Sequence, residues 1–346
     1  MPSQRFADIS RYFAPGWFAA VMGTGVLALT THGLARYWSW LDLPAQMLHW
    51  LNCGLFVVLA VPWLNRWLHY REAAMQTLMH PVQANFYPTF SIALLVLAAQ
   101  WMAFTPYVDV ALVLWFLGVF LHFLFSFAVL YFVFRGEHVA AEHVTPAQFI
   151  PAVGLVVMPL AGGTLISHLQ GPLKEWVLTI NIIGLGAGSM MYLGLLGLTL
   201  YRLYLHKPAL GVLTPTVWIH LAPIGVIPVS LMNVVDQLPL PAVREMAAVI
   251  MLLLWGFGVW WLVMASLLTL SARAAGALPF ALSWWGFTFP VGAFVAESLR
   301  LHQLFGWHSI LSVGVLAWCL LCGLWTITAI RTVRGVASGA VFKPQA

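Results

Sequence analysis

Long apolar runs separated by short charged clusters organise this chain. Between successive Asp, Glu, Lys and Arg residues lie ten uncharged stretches of 23 residues or more, at 12–35, 43–65, 73–108, 110–134, 143–173, 176–201, 208–235, 246–272, 274–296 and 301–330. Every other gap spans eight residues or fewer. A hydrocarbon core about 30 Å thick is crossed by roughly 20 apolar residues of α-helix. The pattern therefore predicts ten membrane-spanning helices in one transmembrane domain over 1–346, at about 14–34, 44–65, 81–104, 109–134, 146–168, 174–203, 214–235, 241–271, 279–300 and 307–332. A transmembrane barrel would instead show strands of about ten residues with alternating polarity. The stretch 110–134, VALVLWFLGVFLHFLFSFAVLYFVF, is apolar on every side. The expected class is an all-α polytopic membrane protein.

The prolines sort by parity. The odd spans carry Pro15, Pro81, Pro88, Pro146, Pro151, Pro159, Pro215, Pro223, Pro228, Pro279 and Pro290. The even spans hold only Pro62 inside, with Pro44, Pro172, Pro239 and Pro241 at their starts. The prolines that open the odd spans recur at intervals of 66, 65, 69 and 64 residues, within PGWF, PVQA, PAQF, PTVW and PFAL. Fixed-period similarity marks a repeat architecture, and here the unit is a helical hairpin used five times. Proline is cheap in a first helical turn and kinks a helix interior. Carbonyls freed in this way are tolerated in a bilayer where neighbouring groups or water satisfy them. Five bent helices alternating with five smooth ones predict an inner ring around a central path and an outer ring facing lipid.

Composition and charge narrow the class further. With 62% hydrophobic and 7% charged residues, a soluble domain is excluded. The three cysteines, Cys53, Cys319 and Cys322, lie within apolar stretches and do not form a disulfide framework. The N-terminus lacks a small-residue cleavage site after its first apolar run, so the first span is expected to be retained. Eleven basic residues (Arg5, Arg11, Arg66, Arg71, Arg135, Arg202, Lys207, Arg273, Arg331, Arg334 and Lys343) flank the spans on the side of the termini. Four (Arg36, Lys174, Arg244 and Arg300) lie on the other side. The positive-inside rule places both termini in the cytoplasm. The basic balance thus reads as topology, and no nucleic-acid partner is expected.

The inner helices are poor in charge. Their polar inventory is Thr24 beside Gly23 in VMGTGVL, Gln83 and Asn85 beside Phe86 in HPVQANFYP, Gln148 beside Phe149 in TPAQFIP, His220 shortly before Pro223 in IHLAPIGVIP, then Ser230, Asn233 and Thr288. A cation path normally shows carboxylates at depth, and the odd helices carry none before Glu297. Hydroxyls, amides and helix N-termini suit a small anionic or neutral solute better. His220 reads either as a solute contact or as a neutral ring bonded to a carbonyl freed by Pro223. His122, on an even helix, reads as interhelical or subunit packing. Gly184-Leu-Gly186-Ala-Gly188 lies inside an apolar span, where small residues serve close helix packing. Cys319-Leu-Leu-Cys322 has no second pair, so no metal site is expected, and no cofactor or catalytic constellation is expected either. The competing class is a haem-bearing membrane electron carrier or membrane-embedded enzyme, for which His122 and His220 are the mid-span pair. A membrane scaffold without transport is a third possibility.

WWGFTFP, together with PGWFAAVMGTG, HPVQANFYP, TPAQFIPAVG and HLAPIGVIP, resembles the tellurite-resistance/dicarboxylate transporter (TDT) family. That family includes bacterial tellurite-resistance channel proteins, plant slow anion channels, fungal malate permeases and sulfite efflux pumps. The resemblance runs from Pro15 to the tenth span. It implies five hairpins about a pseudo-fivefold axis, odd helices lining a pore, and a homotrimer with one pore per subunit in a cell inner membrane. It also implies a pore-plugging phenylalanine, which falls on Phe289 of Phe287-Thr288-Phe289-Pro290; the bland alternative is a packing aromatic. The short tails, without a Ser/Thr-rich extension, imply no control by tail phosphorylation. The expected function is transport of small anions, C4-dicarboxylates such as malate first and sulfite or other inorganic anions next. Expected contacts are Gly23, Thr24, Asn85, Phe86, Phe149, His220, Pro223, Ser230 and Thr288, with Phe289 as the gate.

Overall fold

The computed structural model describes residues 2–136, 144–205 and 211–342. Lys207 and Lys343, two of the basic residues used for orientation, lie outside these ranges, and the side chain of Arg5 is likewise not described. Among the described residues the chain is helical and contains no strand. Its α-helices are α1 (Pro2–Arg11), α2 (Ala19–Ala35), α3 (Asp42–His69), α4 (Arg71–Leu78), α5 (Thr89–Phe104), α6 (Val108–Arg135), α7 (Phe149–Leu165), α8 (Gly171–Leu205), α9 (Leu221–Val235), α10 (Pro241–Ala274), α11 (Thr288–Phe305) and α12 (His308–Ser338).

Nine helical segments among the described residues are long and apolar enough to cross a membrane. They fall into two classes. The segments containing α2, α5, α7 and α9 have 72–89% of their apolar window buried, whereas those containing α3, α6, α8, α10 and α12 have 22–33%. The other span expected from the charge gaps, 279–300, corresponds to a 3-10 turn at Leu282–Phe287 followed by α11. This segment is not among the nine, and it carries Glu297, Arg300 and His302. Its side chains from Thr288 to Val295 are nevertheless all buried.

The packing explains the two classes. Helix α2 contacts α5, α5 contacts α7, α7 contacts α9, α9 contacts α11, and α11 returns to α2, which closes a ring of five. Each outer helix lies against the inner helix before it and the next one in the ring: α3 on α2 and α5, α6 on α5 and α7, α8 on α7 and α9, α10 on α9 and α11, α12 on α11 and α2. The odd spans are therefore the inner ones, as proline parity predicts.

The prolines act differently from the sequence expectation. Every inner helix begins with a 3-10 turn: Pro15–Phe18, Gln83–Phe86, Pro146–Gln148, Thr214–His220 and Leu282–Phe287. Pro151, Pro223 and Pro290 each occupy the third residue of an α-helix, directly after such a turn. A first-turn N–H has no intrahelical acceptor, so proline costs little there. Only Pro159 in α7 and Pro228 in α9 sit deep inside inner helices. The prolines are thus concentrated where the helices start, and α2 itself contains none.

Indole N–H groups tie the two rings together. Trp115 of α6 donates to the Met158 carbonyl of α7 at 2.9 Å, and Trp255 of α10 donates to the Ser298 hydroxyl of α11 at 2.9 Å. From α12, Trp318 and Trp325 donate to Thr31 and Thr24 of α2 at 3.0 and 2.9 Å. In lipid such bonds are worth about 0.6–2 kcal/mol each. Of the glycines of 184–188, Gly184 and Gly188 serve packing as expected, since β-carbons there would both stand 2.7 Å from carbonyl oxygens of α7, whereas Gly186 faces open space.

Candidate functional site

Where the inner helices start, they enclose a cavity of about 690 Å³. All five contribute to its wall: Ala19 and Met22 at α2, Phe86 and Thr89 at α5, Ile150 and Val153 at α7, Ile219 and Ala222 at α9, and Phe289 and Pro290 at α11. Phe280 and Ser283, which precede α11, line it too, as does Val341 from a 3-10 turn after α12. Among the described residues no Asp, Glu, Lys or Arg lines this vestibule. Five helix N-termini converge there, each carrying the positive end of a peptide dipole equivalent to roughly half a charge. The resulting chamber is largely apolar, and the dipoles favour negative charge within it.

Three of the wall positions are equivalent in the repeat. Ile150, Ala222 and Phe289 each precede the proline at the third residue of their helix. At that register an isoleucine, a methyl group and a phenyl ring face one cavity. Phe289 is the aromatic of the three and is only 4% exposed.

The vestibule hydroxyls are already engaged. Thr89 donates toward the Pro15 and Phe86 carbonyls at 2.8 and 2.7 Å, and Thr216 toward Leu213 at 2.7 Å. Ser283 bonds the Val212 carbonyl, and the Trp285 indole donates to Thr332 at 3.1 Å.

Of the residues expected to contact solute, Phe86 and Phe289 line this cavity and the others serve elsewhere. Thr24 turns outward and accepts from Trp325. Thr288 packs on Gly23 and donates to the Trp285 carbonyl at 2.8 Å. Asn85 closes its own turn by donating to the Pro81 and Val82 carbonyls at 3.0 and 3.3 Å. Ser230 donates to the Val156 carbonyl of α7 at 2.6 Å, and Asn233 to that of Pro159 at 3.1 Å. Pro223 is buried one residue past the wall position Ala222.

His220 corrects an expectation. Neither ring nitrogen has a partner among the described residues, so the bond to a carbonyl freed by Pro223 is not made. The ring instead packs between Phe149 and Trp261, with centroids 4.4 and 4.1 Å away. The Trp261 indole takes the nearby Val217 carbonyl at 3.0 Å. His122 bridges three helices: its Nε2 donates to the Pro151 carbonyl at 2.9 Å, and its Nδ1 lies 3.0 Å from the Ser91 hydroxyl. With both nitrogens engaged, it is not available as half of a haem ligand pair.

A family model described as voltage-dependent anion channel, SLAC1, matches residues 12–333. The chain belongs to the SLAC1 family. A transporter of uncharacterised function from Methanocaldococcus jannaschii is 40% identical over 336 residues, covering 97% of each chain. A sulfite efflux pump of Arthroderma otae is 26% identical and covers 96% of this chain and 92% of its own. The malic acid transport protein of Schizosaccharomyces pombe is 20% identical, covering 94% and 78% respectively. SLAC1-family membership places the protein among anion transporters and channels.

In this SLAC1-family chain, sequence reasoning missed Ile150 and Ala222 on the vestibule wall. The repeat held the signal: in FIP, LAP and TFP the residue before the proline is the one that faces the cavity. His80 also lines the vestibule, and a histidine at the end of a span carries no signal of that in the sequence.

Proposed function

We propose that the protein moves small anions through the centre of the five-helix ring and past a constriction at Phe289. The substrates proposed are C4-dicarboxylates such as malate, and sulfite or related inorganic anions. One observation carries this reading: the starts of all five inner helices converge on one cavity whose described wall lacks charged carboxylates and whose bulkiest repeat-equivalent residue is Phe289.

Transport of this kind needs no bond making. The protein lowers the cost of taking an anion out of water, and distributed weak attraction lets the ion leave again. Oriented peptide dipoles at the vestibule attract negative charge, while the apolar wall binds no solute tightly. The Phe289 ring blocks the path by bulk and by dewetting, and a change of its rotamer opens it. The reading includes ten spans with fivefold pseudosymmetry, an inner-membrane location with both termini and the vestibule cytoplasmic, and a homotrimer with one conduit per subunit. The malic acid and sulfite transporters among its relatives supply the substrate candidates.

Flux into proteoliposomes tests the proposal, with malate, succinate, sulfite, nitrate and chloride compared with and without a pH gradient. Protein-dependent flux of one or more of these anions is expected. Saturable, gradient-driven malate uptake identifies a carrier, and large nitrate or chloride currents identify a channel. Vesicles carrying folded protein yet passing none of the five would contradict it.

A further inference from the structure

An anion in the vestibule needs protons to bind to, and most of those nearby are committed. A hydroxyl has one proton, and those of Thr89, Thr216 and Ser283 are directed at backbone carbonyls. The indole proton of Trp285 goes to Thr332. Two lining side chains differ, and both belong to one turn. His80 Nδ1 accepts the backbone N–H groups of Val82 and Gln83, both at 3.2 Å. An imidazole nitrogen that accepts carries no proton, so the neutral ring holds its proton on Nε2. The Gln83 amide has no hydrogen-bond partner among the described residues. The bond from Gln83 N–H to His80 also holds the two side chains at the same lip of the cavity.

We infer that His80 and Gln83 form a docking subsite that captures the anion at the vestibule mouth before it reaches Phe289. The inference rests on the transport reading above. The ligand class is a small oxyanion, a carboxylate or a sulfite group, with two oxygens able to accept from the Nε2–H of His80 and the amide of Gln83. Asn85 is a positioning residue: its two bonds to the Pro81 and Val82 carbonyls fix the turn that presents the pair. The subsite explains how an otherwise apolar mouth collects anions without a fixed cation that would trap them.

Two substitutions test it. Gln83→Leu removes one donor at similar volume. His80→Asp keeps an acceptor for the two backbone N–H groups but replaces the imidazole donor with a like charge. Initial rates of sulfite and of malate transport are measured in membrane vesicles of both orientations. For substrate offered on the vestibule side, each variant is expected to raise the half-saturating concentration about tenfold, the worth of one hydrogen bond to an ion. From the far side it should stay at the wild-type value, with maximal rates changed less than about twofold. A shift for malate alone or sulfite alone supports the subsite and assigns it to that oxyanion. Wild-type saturation by both variants on both sides, with transport intact, overturns the subsite and leaves the transport reading standing. No anion transport by the wild-type protein overturns the transport reading and the subsite with it.

Discussion

Gly23 and Thr288 meet where α2 passes the first turn of α11, and their contact leaves no room for a side chain. A β-carbon on Gly23 would stand 2.0 Å from the Thr288 hydroxyl oxygen and 2.8 Å from its Cβ. The residue displaced would be the one before Phe289, so this contact sets the position of the first turn of α11. Gly23→Ala is expected to destabilise the protein by about 1–3 kcal/mol, as overpacking does. The check is apparent melting temperature in detergent, and adding Thr288→Ala should restore part of the loss.

Phe289→Ala removes the phenyl ring from the vestibule wall. If that ring is the barrier, anion flux in proteoliposomes should rise at least about tenfold, which corresponds to lowering the barrier by roughly 1.4 kcal/mol. Phe289→Tyr keeps the bulk and should remain close to wild type. Equal flux in Phe289→Ala and the wild type, with normal folding, would remove the gate assignment.

A carboxylate placed at the repeat-equivalent position tests the electrostatics instead of the sterics. Ala222→Asp puts a negative charge on a wall that has none among the described residues. Anion flux should fall more than about tenfold, because like charges a few ångströms apart in a poorly hydrated cavity repel by several kcal/mol. The comparison variant Ala222→Asn has nearly the same size and should retain most of the flux. Initial rates at fixed substrate concentration distinguish them.

His122 is expected to matter for folding alone. A β-carbon on Gly154 would stand 1.9 Å from its Cε1, so the ring fills the α6–α7 contact as well as bonding Pro151 and Ser91. His122→Leu leaves those polar groups without their partner and should cost about 1–3 kcal/mol. Thermal unfolding reads that loss, while flux per folded molecule should be unchanged.

Much of this architecture is legible in the sequence because lipid imposes simple rules. Charge gaps mark the helices, since an unpaired charge in the hydrocarbon core is costly. Proline parity separates inner from outer helices because a 3-10 start accepts Pro15, Pro146 and Pro215 without loss of a helical bond. Side-chain direction is what the sequence hides. Thr24 and Ser230 read as pore-facing hydroxyls, yet they bond across helix contacts to Trp325 and to the Val156 carbonyl. A buried hydroxyl satisfies a neighbouring helix as readily as a solute, and composition does not tell the two apart. Ile150 and Ala222 line the vestibule although both are apolar, so polarity alone does not mark the wall. The amphipathic α1 and the Arg66 side chain that bonds the Phe13 and Ala73 carbonyls and the Thr77 hydroxyl have no counterpart in the span pattern.

The vestibule is central to the whole account, and thiol accessibility addresses it most directly. Cys53, Cys319 and Cys322 are replaced by alanine, Ile150→Cys is introduced, and a membrane-impermeant anionic thiol reagent is applied separately to each side of the membrane. Substrate flux is followed throughout. Modification is expected from the vestibule side alone, with a matching fall in malate or sulfite flux and protection by excess substrate. Unimpeded flux after complete modification of Ile150→Cys, or modification only from the opposite side, would contradict it.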